Sequence, residues 1–279
     1  MKRHILNIFA VAVILMAGTL SCKPSHKLTI LHLNDTHSHF EPIRSGAEKG
    51  LGGVIEGAAY IDSVRTADGQ ENVLLLHAGD FSQGTSYFTQ LEGDLEIATI
   101  NAMKFDVITL GNHEFDNGLE ELARRLSMLE CPVVCANYDF SQFEASKYVK
   151  PYAIVNKAGL KIGVFGLLTD ITRVVDRNIS DRIQKLEDVE VAQKWADYLK
   201  NDEKCDLVIA LTHIGYDGES FTDPVLVSKT RNIDLVVGGH SHTFLETMEF
   251  AKNLDGKDVP IVQDGCWGLN FGKIVYKKR

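Results

Sequence analysis

The chain has 279 residues, of which 44% are hydrophobic, with 23 Gly and only 6 Pro; this composition excludes disordered, collagen-like and coiled-coil chains. Lys and Arg total 29 against 38 Asp and Glu, a net charge of −9. That balance argues against a basic face gripping a nucleic-acid backbone, while leaving room for a small phosphate ester held through a metal.

In chain order, Lys2, Arg3 and His4 make a basic start, and residues 5–16 are apolar apart from Asn7. The apolar run is too short to span about 30 Å of hydrocarbon comfortably, so residues 1–21 are expected to be a signal peptide rather than fold. Small residues before Cys22 resemble a bacterial lipoprotein signal, in which Cys22 becomes the lipidated N-terminus. An ordinary secretory signal and an uncleaved anchor are the alternatives. The expectation is a periplasmic or cell-envelope protein that meets the membrane only through a lipid anchor. Export permits disulfides. Cys131 and Cys135, however, flank an extended Pro-Val-Val and would lie about 13 Å apart at strand spacing. A bridge tolerates only about 7 Å between Cα atoms, so free thiols are expected.

From residue 27 the chain alternates strand-like and helix-like segments. Strands are predicted over 27–34, 72–77, 106–110, 132–136, 161–168, 206–211 and 233–237. Helices are predicted over 53–65, 94–104, 119–129 and 189–200. Val73-Leu74-Leu75-Leu76 and Leu207-Val208-Ile209-Ala210 are apolar on both faces, as strands covered on both sides must be. The C-terminal third turns strand-rich, with a hairpin around Lys157-Ala158-Gly159 and strands over 259–263 and 269–276. The alternation predicts an α/β sandwich, and the lack of repeats or a Pro/Ser-rich linker predicts one domain over 27–279.

Chemistry-bearing residues gather directly behind five of these strands. Asp35-Thr36-His37 follows the first, Gly79-Asp80 the second, and Gly111-Asn112-His113-Glu114 the third. Thr212-His213 and Gly238-Gly239-His240-Ser241-His242 follow the two near residues 211 and 237. Open α/β sheets bind ligands at the carboxyl ends of their strands, so the five groups can converge on one edge. Imidazole, carboxylate and one amide carbonyl without thiolate suit borderline divalent ions: Mn, Zn, Fe or Co. Asp35, His37, Asp80, Asn112, His213, His240 and His242 are too many for one tetrahedral ion with an open position, and fit two ions sharing a bridging carboxylate. A water between two such cations loses its proton and can attack phosphorus in line.

Other residues have structural readings. His32 and His77 lie within apolar runs and are expected to be structural or to support the ligands. His39 stands near Asp35 and His37, where a role toward substrate or in support of the ligands is open to it, and Glu114 can support the ligands from behind. Asn117, with Glu120 three residues on, is expected to cap the helix beginning at Leu119. Gly79, Gly111 and Gly239 are expected to make tight strand-to-loop turns.

Taken together, Leu-Asn-Asp-Thr-His at 33–37, Ala-Gly-Asp at 78–80, Gly-Asn-His-Glu-Phe-Asp-Asn-Gly at 111–118, Leu-Thr-His-Ile-Gly at 211–215 and Gly-Gly-His-Ser-His at 238–242 resemble the calcineurin-like metallophosphoesterase superfamily. Within it, the chain is most similar to the N-terminal catalytic domain of bacterial 5′-nucleotidases, a family that includes UDP-sugar hydrolases and 2′,3′-cyclic phosphodiesterases. The resemblance implies a four-layer α/β/β/α sandwich. It also implies that Asp35, His37 and His242 hold one metal, that Asn112, His213 and His240 hold the other, and that Asp80 bridges them. His113 and Asp116 match the family's catalytic pair, with Asp116 holding the ring that stabilises a transferring oxygen or protonates the leaving group.

Full-length members of that family carry a second, nucleotide-binding domain, which this sequence through Arg279 is expected to lack. Three expectations follow: a stand-alone phosphoesterase, a catalytic half paired with a separately encoded C-terminal domain, or a degenerate module. The leading expectation is an exported phosphomonoesterase acting on nucleotides. A phosphodiesterase or pyrophosphatase acting on cyclic nucleotides, dinucleotides or nucleotide-sugars is the second. A non-catalytic metal-binding partner subunit is the third.

Overall fold

The computed structural model describes residues 26–278. The basic start, the apolar run and Cys22 with its expected lipid lie outside the described residues. Fourteen strands are described: β1 (His26–Leu33), β2 (Val73–His77), β3 (Val107–Thr109), β4 (Val133–Val134), β5 (Tyr138–Asp139), β6 (Val149–Lys150), β7 (Tyr152–Lys157), β8 (Leu160–Leu168), β9 (Gln184–Lys185), β10 (Leu207–His213), β11 (Leu235–Val237), β12 (Glu249–Lys252), β13 (Asp258–Val262) and β14 (Gly272–Lys278). They form two six-stranded sheets, ordered β14-β1-β2-β3-β4-β6 and β12-β13-β11-β10-β8-β7, and a two-stranded ribbon of β5 and β9. Only the β14, β12 and β7 pairings are antiparallel within the large sheets.

The apolar runs explain the layers. Along β2, Val73 and Leu75 pack on helices Val54–Asp68 and Asp94–Met103, while Leu74 and Leu76 face the other sheet. Both faces are covered, so the run tolerates no polar residue. Each fully buried leucine contributes roughly 1.5–3 kcal/mol. Between the sheets, Leu28, Ile30, Leu74 and Val107 meet Ile162, Val164, Ile209 and Val237. On the far side, Val208, Ala210 and Val236 pack on Ala192, Ala196 and Leu226 of helices Asp188–Asp197 and Asp223–Ser228. The four-layer α/β/β/α sandwich is therefore what the structure adopts.

All four predicted helices are present. The last is α-helical over Asp188–Asp197 and continues as a π-helical turn over Tyr198–Asp202. The predicted hairpin is β7 turning into β8 through Ala158 (φ 52°) and Gly159 (φ 71°), the paired left-handed residues that a tight hairpin needs. One expectation fails: Asn117 does not cap the helix Leu119–Leu126. Gly118 is the N-cap, without a side-chain bond, because the chain turns there at φ 89°, which only glycine adopts readily. The helix also stops at Leu126, short of the expected 129. Cys131, Cys135, Cys205 and Cys266 are free thiols, as expected. Burial pushes the Cys135 thiol up to about 12, which makes it inert. Among the described residues no helix is long and apolar enough to cross a membrane.

Candidate metal centre

Parallel register brings the five loops to one level. Leu33 pairs with His77, His77 with Ile108, and Leu211 with Val237, so β1, β2, β3, β10 and β11 release their chains at the same edge. There the loops lock together through backbone bonds from Asp35 N to Gly79 O (3.0 Å), His37 N to Asp80 O (3.1 Å) and Gly215 N to Gly239 O (3.1 Å).

Every expected ligand reaches this edge. Ligand atoms of Asp35, His37 and His242 lie within 4.8 Å of one another, and so do those of Asp80, His213 and His240. His37 Nε2 and His242 Nε2 face each other at 2.9 Å, and His242 Nε2 is 3.3 Å from Asp35 Oδ1. Asn112 Oδ1 faces His240 Nδ1 at 2.9 Å, which places it with the second group. Asp80 Oδ2 is 3.1 Å from His213 Nε2 and 3.8 Å from His37 Nε2, so it stands between the groups. A further grouping joins His37, Asp80 and His113.

The backbone is strained where the ligands sit. Asp35 (φ 50°), His37 (φ 45°), Asp80 (φ 54°), His240 (φ 82°) and His242 (φ 55°) are all left-handed without being glycine. Each costs on the order of 1–3 kcal/mol and persists only where the surroundings over-determine it. Gly79 makes the expected turn at φ 86°. Gly111 and Gly239 do not turn at positive φ; they allow close approach instead. A Cβ on Gly111 would sit 2.2 Å from Asp80 Oδ1, and one on Gly239 would sit 2.7 Å from Ala78 O.

The donor set fits divalent ions. His213 Nδ1 donates to Ala78 O at 2.7 Å, which aims the fully buried Nε2 at the cluster, where Asp80 Oδ2 stands 3.1 Å from it. Imidazoles and carboxylates buried at one point without a cation would be poorly compensated. Burial lowers the His213 ring's proton affinity, but the Asp80 and Asp35 carboxylates outweigh it and carry the ring up to about 10. Burial alone would raise Asp80, yet the charges of His213, His37 and His113 hold it well below the usual carboxylate range. Burial and the His213 charge push His240 down to about 4, which leaves it neutral and ready to ligate.

His113 Nδ1 lies 2.9 Å from Asp116 Oδ2, so the expected pair is formed, at the half-buried mouth. Burial opposes the charged ring, but Asp116 and Asp80 raise its proton affinity above the ordinary histidine value. The His113 amide donates to Asp80 Oδ1 at 2.9 Å.

The supporting residues are partly those expected. Glu114, fully buried, accepts backbone N–H bonds from Gly111 (2.6 Å), Asp80 (2.9 Å) and Ser82 (3.0 Å). His32 pairs with Asp264 at 2.5 Å, and His77 Nε2 meets Thr36 Oγ1 at 3.1 Å. His39 stacks on Trp267 with ring centroids 4.9 Å apart. Sequence reasoning passed over three residues. Asn34 Nδ2 donates to Asp35 Oδ2 at 2.6 Å. Arg125, also buried, donates to Glu114 O at 2.6 Å and Ser82 Oγ at 2.9 Å. Trp267 N donates to Asp35 O at 2.7 Å. Arg125 left a signal: a cation on the buried face of a helix otherwise lined by Leu119, Leu122 and Leu126.

The family described as Calcineurin-like phosphoesterase matches residues 28–244, and the chain belongs to that family of metal-dependent phosphoester hydrolases. More particularly, its relatives are 5′-nucleotidases. It is 35% identical to the snake venom 5′-nucleotidase of Naja atra over 270 residues, which cover 89% of this chain and 50% of the venom protein. The crystal structure of the 5′-nucleotidase precursor from Thermus thermophilus superposes with a TM-score of 0.80 at 33% identity, covering 90% of this chain and 54% of that one. The NAD nucleotidase of Haemophilus influenzae superposes at 0.78 with 29% identity, over 91% and 49% of the two chains. The chain thus spans about half the length of the relatives it matches.

Proposed function

We propose that the chain hydrolyses phosphate monoesters, nucleotides above all. Asp35, His37 and His242 would hold one divalent ion, Asn112, His213 and His240 a second, and Asp80 would touch both. The observation that carries this reading is the meeting of two ligand groups at one buried carboxylate. Bound there, a pair of borderline divalent ions supplies Lewis acidity and a nucleophile at neutral pH. The chain's own residues do the rest. The strained loops hold the ligand atoms in place before substrate arrives. Asp116 fixes the His113 ring through Nδ1–H and favours its doubly protonated form, whose Nε2 proton can be given to the leaving oxygen or held against charge on the transferring group.

The likeness to a NAD nucleotidase favours a second reading, cleavage of the pyrophosphate bond in dinucleotides. A substrate panel on the Mn²⁺-reconstituted chain separates the two, with adenosine monophosphate, bis(p-nitrophenyl) phosphate and a dinucleotide as members. The first reading expects the monoester to turn over fastest. Preference for the diester or dinucleotide would replace it with the second, and a metal-loaded chain inert on all three would sink both.

A further inference from the structure

We infer that Gln263 is a positioning residue for the metal centre: from the end of β13, it sets the loop that presents both His240 and His242. Its side chain is fully buried, in the residue just after Val262 ends the strand. Nε2 donates to Gly239 O at 2.9 Å, one residue before His240. Oε1 accepts from Thr243 N at 2.6 Å, one residue after His242. The same oxygen accepts from Ser241 Oγ at 2.9 Å, between the two histidines. One amide therefore spans the loop from Gly239 to Thr243, and its orientation is unique, because a backbone N–H must meet the oxygen and a carbonyl must meet the nitrogen.

The geometry gives this amide a task. His240 and His242 are both left-handed, and a short loop with two such residues stays in place only if its backbone is tied. Gly265 N adds a bond to Thr243 O at 3.1 Å, and Leu245 N one to Gln263 O at 3.1 Å. The next residues reach the other ligand group. Asp264 N donates to Asn34 Oδ1 at 2.8 Å, and Asn34 Nδ2 donates both to Gly265 O and to Asp35 Oδ2, each at 2.6 Å. The end of β13 thus orients Asp35 from one side and His240 with His242 from the other. Groups that orient ligands in this way typically contribute about 10–100-fold in metal affinity or activity.

The inference rests on the metal reading above, and its test measures metal binding without substrate. Metal-free full-length chain is titrated with Mn²⁺ against a fluorescent chelator, and thermal melts are recorded with and without Mn²⁺. Gln263→Met keeps length and bulk but removes all three bonds. Gln263→Glu keeps the acceptor and turns an oxygen against Gly239 O. Both variants are expected to bind Mn²⁺ about 10–100-fold more weakly and to show a smaller Mn²⁺-induced rise in melting temperature. The added charge of Gln263→Glu would by itself attract a cation, so weaker binding there reports the loop. If one variant fails to fold, the other decides. Affinity and Mn²⁺-induced rise equal to the parent's, even with a lower metal-free melting temperature, would make Gln263 merely structural and overturn the inference. A parent chain that binds no Mn²⁺ would overturn the metal reading as well.

Discussion

Two buried carboxylates lie beneath the centre, one under each sheet, and they are used differently. Glu114, under the β2 and β3 loops, accepts three backbone N–H groups and so cross-ties the turn that carries Asp80, Asn112 and His113. Asp223, behind the β10 and β11 loops, accepts the Thr212 hydroxyl at 2.6 Å, and among the described residues its Oδ2 has no hydrogen-bond partner. Burial raises both, Glu114 with the help of the Asp80 charge, and each reaches about 7. The first half of the site is tied by a buried carboxyl and holds both acidic ligands, Asp35 and Asp80. The second half supplies imidazoles and is tied by neutral amides and hydroxyls. Each ligand group draws from both halves, so neither sheet makes a site alone.

The largest expected effect breaks the first half at its chemistry. His113→Asn should lower turnover by roughly 10²–10⁴-fold with metal content unchanged, as a positioned proton donor would. Steady-state rates beside metal analysis check this, and loss of bound metal along with rate would make His113 a ligand instead.

Next in size is the buried carboxyl itself. Glu114→Gln must turn an NH₂ toward at least one backbone N–H, which leaves a buried donor unpaired at a cost of about 1–3 kcal/mol. Urea unfolding of the metal-free chain at pH 7 measures it. An unchanged midpoint would show that the three bonds contribute nothing net.

The smallest effect sharpens the contrast from the other side. A carboxyl raised in the fold contributes stability that is full below its unfolded value near 4 and is lost as pH rises through about 7. The metal-free chain should therefore lose stability across that window. Asp223→Asn should flatten part of the loss, matching the parent near pH 4 and exceeding it above pH 7. Melting temperatures of the two chains against pH test this; parallel curves would remove Asp223 from the account.

Much of this molecule was legible along the chain. The unbroken apolar runs at 73–76 and 207–210 demanded strands covered on both faces, and β2 and β10 are those strands. The ligand types stood at or directly behind the ends of their strands, His213 being the last residue of β10, because a polar cluster cannot sit inside such a run and must wait for its end. The start of the helix at Leu119 was read correctly but its cap was not, because an Asn-x-x-Glu spacing looks like a cap, whereas Gly118 makes the turn. Glu114 was legible as a support behind the ligands, but not its three partners, since nothing in sequence says which amides a carboxylate will face.

The sequence alone determined which groups are available and in what order they leave the sheet, since alternation, apolar periodicity and short motifs are local properties of the chain. Residue types and spacing left open which ligands share an ion, and only the family resemblance implied a grouping; the tertiary structure brings His242 to Asp35 and His37, brings His213 and His240 to Asp80, and sets the Gln263 amide against the loop between Gly239 and Thr243. Those pairings depend on the register and packing of two sheets whose contributing residues lie far apart along the chain, as with the 205 positions between His37 and His242. Local patterns carry no information across such a distance until the apolar faces between the sheets close.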